Sequence, residues 1–163
     1  MIETVSENVK NLDAIDRKII QILQDDFPIV ERPWKEVGDK LKLKEDDVIN
    51  RLKRLNELGI IRKIGSIVDS PKVGLTAATL VAMKVPQNNV DDVAASINAY
   101  RSVSHNYERE HEYNVWFTIT ASSNNELTSI LEEITQKTGI TQDDILNLPT
   151  KQCFKINVRF QLT

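Results

Sequence analysis

The stretch Glu45-Asp46-Asp47-Val48-Ile49-Asn50-Arg51-Leu52-Lys53-Arg54-Leu55-Asn56-Glu57-Leu58-Gly59, running on into Ile60 to Val68, decides the fold. Its three leading carboxylates suit the positive end of a helix dipole, and Val48, Leu52, Leu55 and Leu58 recur at helical spacing. Gly59 offers a left-handed cap. Ile60 to Val68 alternates loosely around Arg62, Lys63 and Gly65, as the strands and tip of a wing would. Upstream, Leu12, Ile15, Ile19, Ile20 and Leu23 mark a first amphipathic helix, with Asp13 and Asp16 near its N-terminal end. Phe27-Pro28-Ile29-Val30-Glu31-Arg32-Pro33 cannot continue it, and Pro33 fits the first position of a second helix through Trp34, Val37 and Leu41. Three helices in this order predict a helix-turn-helix.

Ser70-Pro71-Lys72-Val73-Gly74 looks like a linker, and the pattern beyond it alternates between strand and helix. Leu75 to Val85 is apolar and β-prone, Asn89 to Tyr100 is helical, and Ser102 to Arg109 and Glu112 to Ala121 follow as two strands. Ser123-Asn124-Asn125-Glu126 opens a helix in the manner of a capping box, with Leu127, Ile130, Leu131 and Ile134 inward. Lys155 to Leu162 reads as the last strand from Ile156, Val158 and Phe160. The expected fold class is α+β: a winged helix-turn-helix domain over residues 1–70, then a ferredoxin-like βαββαβ domain over residues 75–163. Such a sheet carries both helices on one face, so the other should be apolar and form a dimer, with Val115, Phe117, Ile119 and Leu75 to Val85 as its surface.

Composition narrows the function classes. Residues 1–74 hold 14 Lys/Arg and 14 Asp/Glu, and the whole chain of 163 residues carries a formal charge of -3. Binding of DNA phosphates draws on a basic face, and the half expected to meet DNA is neutral, with Glu45, Asp46 and Asp47 at the start of its third helix. DNA is therefore not the expected partner. The acidic, polar first residues and the short apolar runs suggest neither a secretory signal nor a membrane span, so a cytoplasmic protein is expected. A single cysteine, Cys153, allows no internal disulfide.

A winged helix-turn-helix before a βαββαβ domain resembles the Lrp/AsnC regulators, whose opening helix is similar to Leu12-Asp13-Ala14-Ile15-Asp16-Arg17-Lys18-Ile19-Ile20. Two motifs look instead like an enzyme branch of that scaffold, sirohaem (siroheme) decarboxylase. They are Phe27-Pro28-Ile29-Val30-Glu31-Arg32-Pro33-Trp34 and Ser104-His105-Asn106-Tyr107-Glu108-Arg109-Glu110-His111-Glu112-Tyr113-Asn114-Val115-Trp116-Phe117-Thr118. The second gathers both histidines of the chain, with tyrosines, an arginine and a tryptophan, into fifteen residues. Ile61-Arg62-Lys63-Ile64-Gly65 and Leu148-Pro149 are also similar to the family, the latter to the entry to its last strand. Subunit type is left open by these residues. The resemblance implies a subunit of an enzyme that turns two acetate side chains of siroheme into methyl groups on an alternative route to haem. It also implies a related second subunit as partner and no cofactor beyond the iron of the substrate.

Siroheme is a flat iron macrocycle with many carboxylates, so its site needs an apolar slot, several cations and a possible iron ligand. Alternation puts His105, Tyr107 and Arg109 on one face of a strand, and His111, Tyr113 and Val115 on one face of the next. His105 and His111 are the expected catalytic pair, as donors of the proton that completes the methyl group. His111 is favoured as the axial ligand of iron. Arg109, Tyr107, Tyr113, Arg62 and Lys63 are expected to bind substrate, with Lys155 and Arg159 as weaker cations. The competing readings are surface histidines, strand tyrosines, and an Arg109 paired in solvent with Glu108, Glu110 or Glu112. For the whole chain they are a DNA-binding regulator or a haem-responsive sensor.

Overall fold

A computed structural model describes residues 12–155 and 159–161. They form two compact units, the first from residues up to Ser66 together with the C-terminal segment, the second from Ile67 to Lys155.

The first unit contains α1 (Ala14–Asp25), α2 (Pro33–Leu41) and α3 (Glu45–Glu57). Asp13 caps α1, accepting from the amides of Ile15 and Asp16, while Asp16 returns a carboxylate to the Asp13 amide. Pro33 opens α2, and Gly59 takes the left-handed conformation after α3 with φ of 70°. Ile19, Val37, Val48 and Leu52 form the shared core. Asp16 is fully buried there, and both Arg51 and Arg54 of α3 donate to it, Arg51 at 2.7 Å. Arg51 also reaches Asp13 at 2.6 Å and holds that carboxyl below the usual carboxylate range. Arg51 and Arg54 are thus engaged inside the unit.

Residues 60–68, expected as a wing, carry no strand among the described residues. Their alternation is too loose to bury one face, and Ile64, Ile67 and Val68 stay exposed. The expected last strand is also corrected. Lys155 and residues 159–161 are irregular, while Ile156, Val158 and Leu162 lie outside the described residues. Arg159 pairs with Asp25, and Phe160 exchanges two hydrogen bonds with the Gln24 side chain, so these residues go with the first unit.

The second unit runs β1 (Ala77–Met83), α4 (Val90–Asn98), β2 (Val103–Glu108), β3 (Val115–Ala121), α5 (Asn124–Thr138) and β4 (Ile145–Pro149), giving the βαββαβ order. The strands lie antiparallel in the order β2-β3-β1-β4. Leu148-Pro149 ends the last strand rather than leading into it; a proline is tolerated there because β4 is an edge. Ser123 caps α5 by accepting from the Glu126 amide. Val81, Met83, Val115, Phe117 and Ile119 pack with Val93, Ile97, Leu127, Leu131 and Ile134 of the helices into one core.

The two sheet faces are thereby assigned, and opposite to expectation. Val115, Phe117 and Ile119 face the helices, whereas Leu80, Ala82, Trp116, Thr118, Leu146 and Leu148 share the open face with His105 and Tyr107. The more apolar set lies beneath the helices because apolar area removed from water is the larger stabilising contribution. The open face is still partly apolar, with Leu80, Leu146 and Leu148 all exposed.

Candidate functional site

The fifteen-residue motif folds into β2, a connecting loop and the start of β3. A register shift between Val103 and His105 places Ser104 as a bulge, after which His105 sits opposite Thr118 and Tyr107 opposite Trp116. On this edge strand the imidazole of His105 lies 6.1 Å from the Tyr107 ring, near-parallel at 28°, and the Arg109 guanidinium stands 5.1 Å from the Tyr107 centroid. The result is an exposed ladder of imidazole, phenol and guanidinium on the open face. Asn106, between them, turns to the other face and donates to Ala94 and Asn98 of α4.

Arg109 makes no ion pair among the described residues. Its acidic neighbours are engaged elsewhere: Glu108 accepts from Gln87 at 2.9 Å, and Glu112 pairs with Lys84 at 2.5 Å. That pairing lowers the Glu112 carboxyl and raises the Lys84 ammonium from their ordinary values. Glu108 and Glu112 are thus both drawn away from Arg109, which keeps its contact with the Tyr107 ring.

His111 and Tyr113 lie in the loop, not on a strand as expected. Their rings are 6.3 Å apart at 25°, and the Tyr113 amide donates to His111 Nδ1 at 3.1 Å. With Nδ1 accepting, the neutral ring carries its proton on Nε2. The Ser104 hydroxyl bridges His105 Nδ1 at 2.9 Å and Thr118 Oγ1 at 2.8 Å. If Ser104 gives its proton to Thr118 it accepts from Nδ1–H, and His105 keeps a lone pair on Nε2. The two imidazoles thus have different partners at Nδ1, a backbone amide for His111 and a serine hydroxyl for His105.

A polar pocket of about 570 Å³ is lined by Gln87, Glu108, Arg109, Glu110, His111 and Asn114. It does not extend to His105 or Tyr107, and Arg109 is common to this pocket and to the ladder. Arg62 and Lys63 belong to the first unit, where they border an apolar cleft of about 910 Å³ with Ile20, Leu23, Phe27 and Ile60. Phe27 and Trp34 of the other motif meet edge to face at 5.4 Å. Trp116 is half-buried on the open face and donates to the Tyr113 carbonyl at 2.7 Å. Ser104 and Asn114 were missed by sequence reasoning. An amide at the head of an apolar strand was the available signal for Asn114.

Comparison with known proteins adds the following. Residues 72–155 match the model of an AsnC-like ligand binding domain, and residues 16–62 that of a siroheme decarboxylase NirDL-like HTH domain. The siroheme decarboxylase alpha subunit of Desulfovibrio desulfuricans is 43% identical over 152 residues, covering 93% of this chain and 86% of that protein. The siroheme decarboxylase NirD subunit of Stutzerimonas stutzeri is 36% identical, covering 93% and 97%. Among solved structures, siroheme decarboxylase NirDL in co-complex with an iron-uroporphyrin III analogue aligns at a TM-score of 0.62 and 32% identity, over 82% of this chain and 43% of that one. An AsnC family transcriptional regulator from Agrobacterium tumefaciens aligns at 0.77 but only 17% identity, over 91% and 96%, a likeness of fold alone. Among the described residues no helix is long and apolar enough to cross a membrane, and no three His, Cys, Asp or Glu side chains cluster as metal ligands.

Proposed function

The chain belongs to the siroheme decarboxylase family, and on that premise we propose that it is the alpha-type subunit of an enzyme removing two acetate carboxyl groups from siroheme to give 12,18-didecarboxysiroheme. The alpha subunits match it at 41 to 43% identity, against 33 to 36% for the NirD and NirG subunits. The observation that carries the reading is the exposed ladder of His105, Tyr107 and Arg109 beside the His111 loop, with Arg109 free for a carboxylate. Anaerobic incubation of the chain with siroheme, alone and with a related second subunit, followed by mass analysis, tests it. The expected product lacks two carboxyl groups; bound but unchanged siroheme would make the chain a sensor.

In each turnover the bond between an acetate methylene and its carboxylate breaks, carbon dioxide leaves, and the electron pair stays on the methylene in conjugation with the macrocycle. A proton then completes the methyl group. The macrocycle itself absorbs the charge, so no organic cofactor is needed. We assign that proton to His111, which would give it up from Nε2 as the imidazolium, so that a neutral ring and not an imidazolate is left. His105 is taken as the axial ligand for the substrate's iron: Ser104 is placed to hold an Nδ1–H when its own proton goes to Thr118, which would leave Nε2 unprotonated for the metal. This reverses the preference drawn from sequence. Arg109 clamps a retained carboxylate, and Tyr107 and Tyr113 flank the two imidazoles. Arg62 and Lys63 remain further cations for the substrate's periphery. Arg109→Ala is expected to raise the siroheme KM about 10-fold with little change in kcat, because a carboxylate clamp acts on ground and transition states alike. Steady-state kinetics with the assembled enzyme check it.

The second subunit is expected on the open sheet face. Leu80, Trp116, Leu146 and Leu148 are apolar there, on the same face as His105 and Tyr107. DNA is not the partner in this reading: α3 begins with three carboxylates, and Arg51 and Arg54 are engaged by Asp13 and Asp16. At physiological salt, electrophoretic mobility shifts with genomic fragments should show no binding below micromolar protein; a nanomolar operator would support the regulator instead.

A further inference from the structure

Building on that functional reading, we infer that Asn114 is a positioning residue for Arg109 and His111, fixing the loop that presents both to the substrate. Asn114 is 8% exposed, whereas Arg109, Glu110, His111 and Glu112 are all exposed. Its side-chain oxygen accepts from the Val85 amide at 2.9 Å, and its side-chain nitrogen donates to the Val85 carbonyl at 2.8 Å. Its own amide donates to Met83 at 3.0 Å, and its carbonyl accepts from the Arg109 amide at 2.8 Å. One residue therefore fastens the end of β1, the head of β3 and the first residue of the loop.

The remaining tethers of the loop are weaker or lie within it. The Lys84–Glu112 pair is on the surface, where such pairs contribute little. The Trp116 bond reaches the loop only at Tyr113, and the bonds from the His111 amide to Arg109 and from the Tyr113 amide to His111 Nδ1 are internal. A buried amide with all its groups paired has one low-energy arrangement, since leaving any of them unmet is costly. The loop's shape, and with it the direction of Nε2–H, follows from that arrangement. His105 stands on β2, outside this control.

The test uses the assembled enzyme. Asn114→Ala should lower kcat at least 10-fold while the siroheme absorbance bands, set by ligation on β2, stay in place. Thr79→Val is the matched control: Thr79 is buried in the same sheet and bonded to Asn147, away from the loop, so it should lose melting temperature and keep kcat within twofold. If Asn114→Ala does not assemble, Asn114→Asp retains the acceptor for the Val85 amide but sets a carboxylate oxygen against the Val85 carbonyl, and should likewise lower kcat by about threefold or more. Wild-type kcat in the Asn114 variants, or an equal loss in Thr79→Val, overturns the inference. Absence of turnover in the unsubstituted enzyme would instead refute the functional reading on which it rests.

Discussion

Replacing His111 with alanine in the assembled enzyme is expected to lower siroheme turnover by about 10²-fold or more, the usual scale for losing a general acid. Siroheme should still bind, with its absorbance bands unchanged. The hydrogen bond from the Tyr113 amide to Nδ1 leaves the neutral ring's proton on Nε2 and so withholds that nitrogen from iron. Single-turnover assays followed by mass analysis separate binding from chemistry, and the spectrum is read in the same sample. His105→Ala should do the converse, shifting the bands because axial ligation controls them. Exchange of these two phenotypes would return the iron to His111.

The second large effect concerns stability. Asp16→Ala is expected to destabilise the helical unit by about 3 kcal/mol, the low end of the range for breaking a buried ion pair. Asp16 is fully buried, while Arg51 and Arg54 are partly solvated, and Asp13 remains as an acceptor for Arg51. Urea unfolding followed by Trp34 fluorescence in a Trp116→Phe background reads this unit specifically, since Trp34 packs on its core. A change below 0.5 kcal/mol, on the order seen for surface substitutions, would contradict the assignment. The neighbouring cap adds a pH signature. Arg51 depresses the Asp13 carboxyl in the folded state, so its contribution is present above its unfolded value of 3.8 and is lost as pH falls through the folded value. Because Asp13 is half exposed, that contribution is small.

Much of the architecture was legible because its signals are local. Pro33 at a helix start, Gly59 after a helix and Ser123 three residues before Glu126 each satisfy an end of a helix whatever the rest of the chain does. The failures were of another kind. Alternation in β3 separates Val115, Phe117 and Ile119 from Trp116, Thr118 and Thr120, yet which set the helices cover is a property of the packed unit. The alternation of Ile156, Val158 and Phe160 concealed the shorter Ile145–Pro149, whose pairing with β1 depends on a register no local pattern encodes.

The site was legible as a cluster and not as a mechanism. His105, Tyr107 and Arg109 were expected on one face, and the structure places them there. His111 and Tyr113 were assigned to a strand that begins only at Val115; the residues between form a loop closed by the Arg109 amide on the Asn114 carbonyl. What distinguishes the two histidines is their neighbours, a backbone amide for one and a serine hydroxyl for the other. Such contacts depend on loop and bulge geometry, which residue spacing does not reveal.

The most direct test of the central proposal, that this chain's own hairpin carries the decarboxylation, is mass analysis of siroheme incubated anaerobically with an enzyme assembled from an unaltered partner and the His105→Ala, His111→Ala double variant. Intact siroheme with altered absorbance bands is expected, beside full loss of two carboxyl groups in the unsubstituted enzyme. Complete conversion with an unchanged spectrum would contradict it and place the chemistry on the partner subunit.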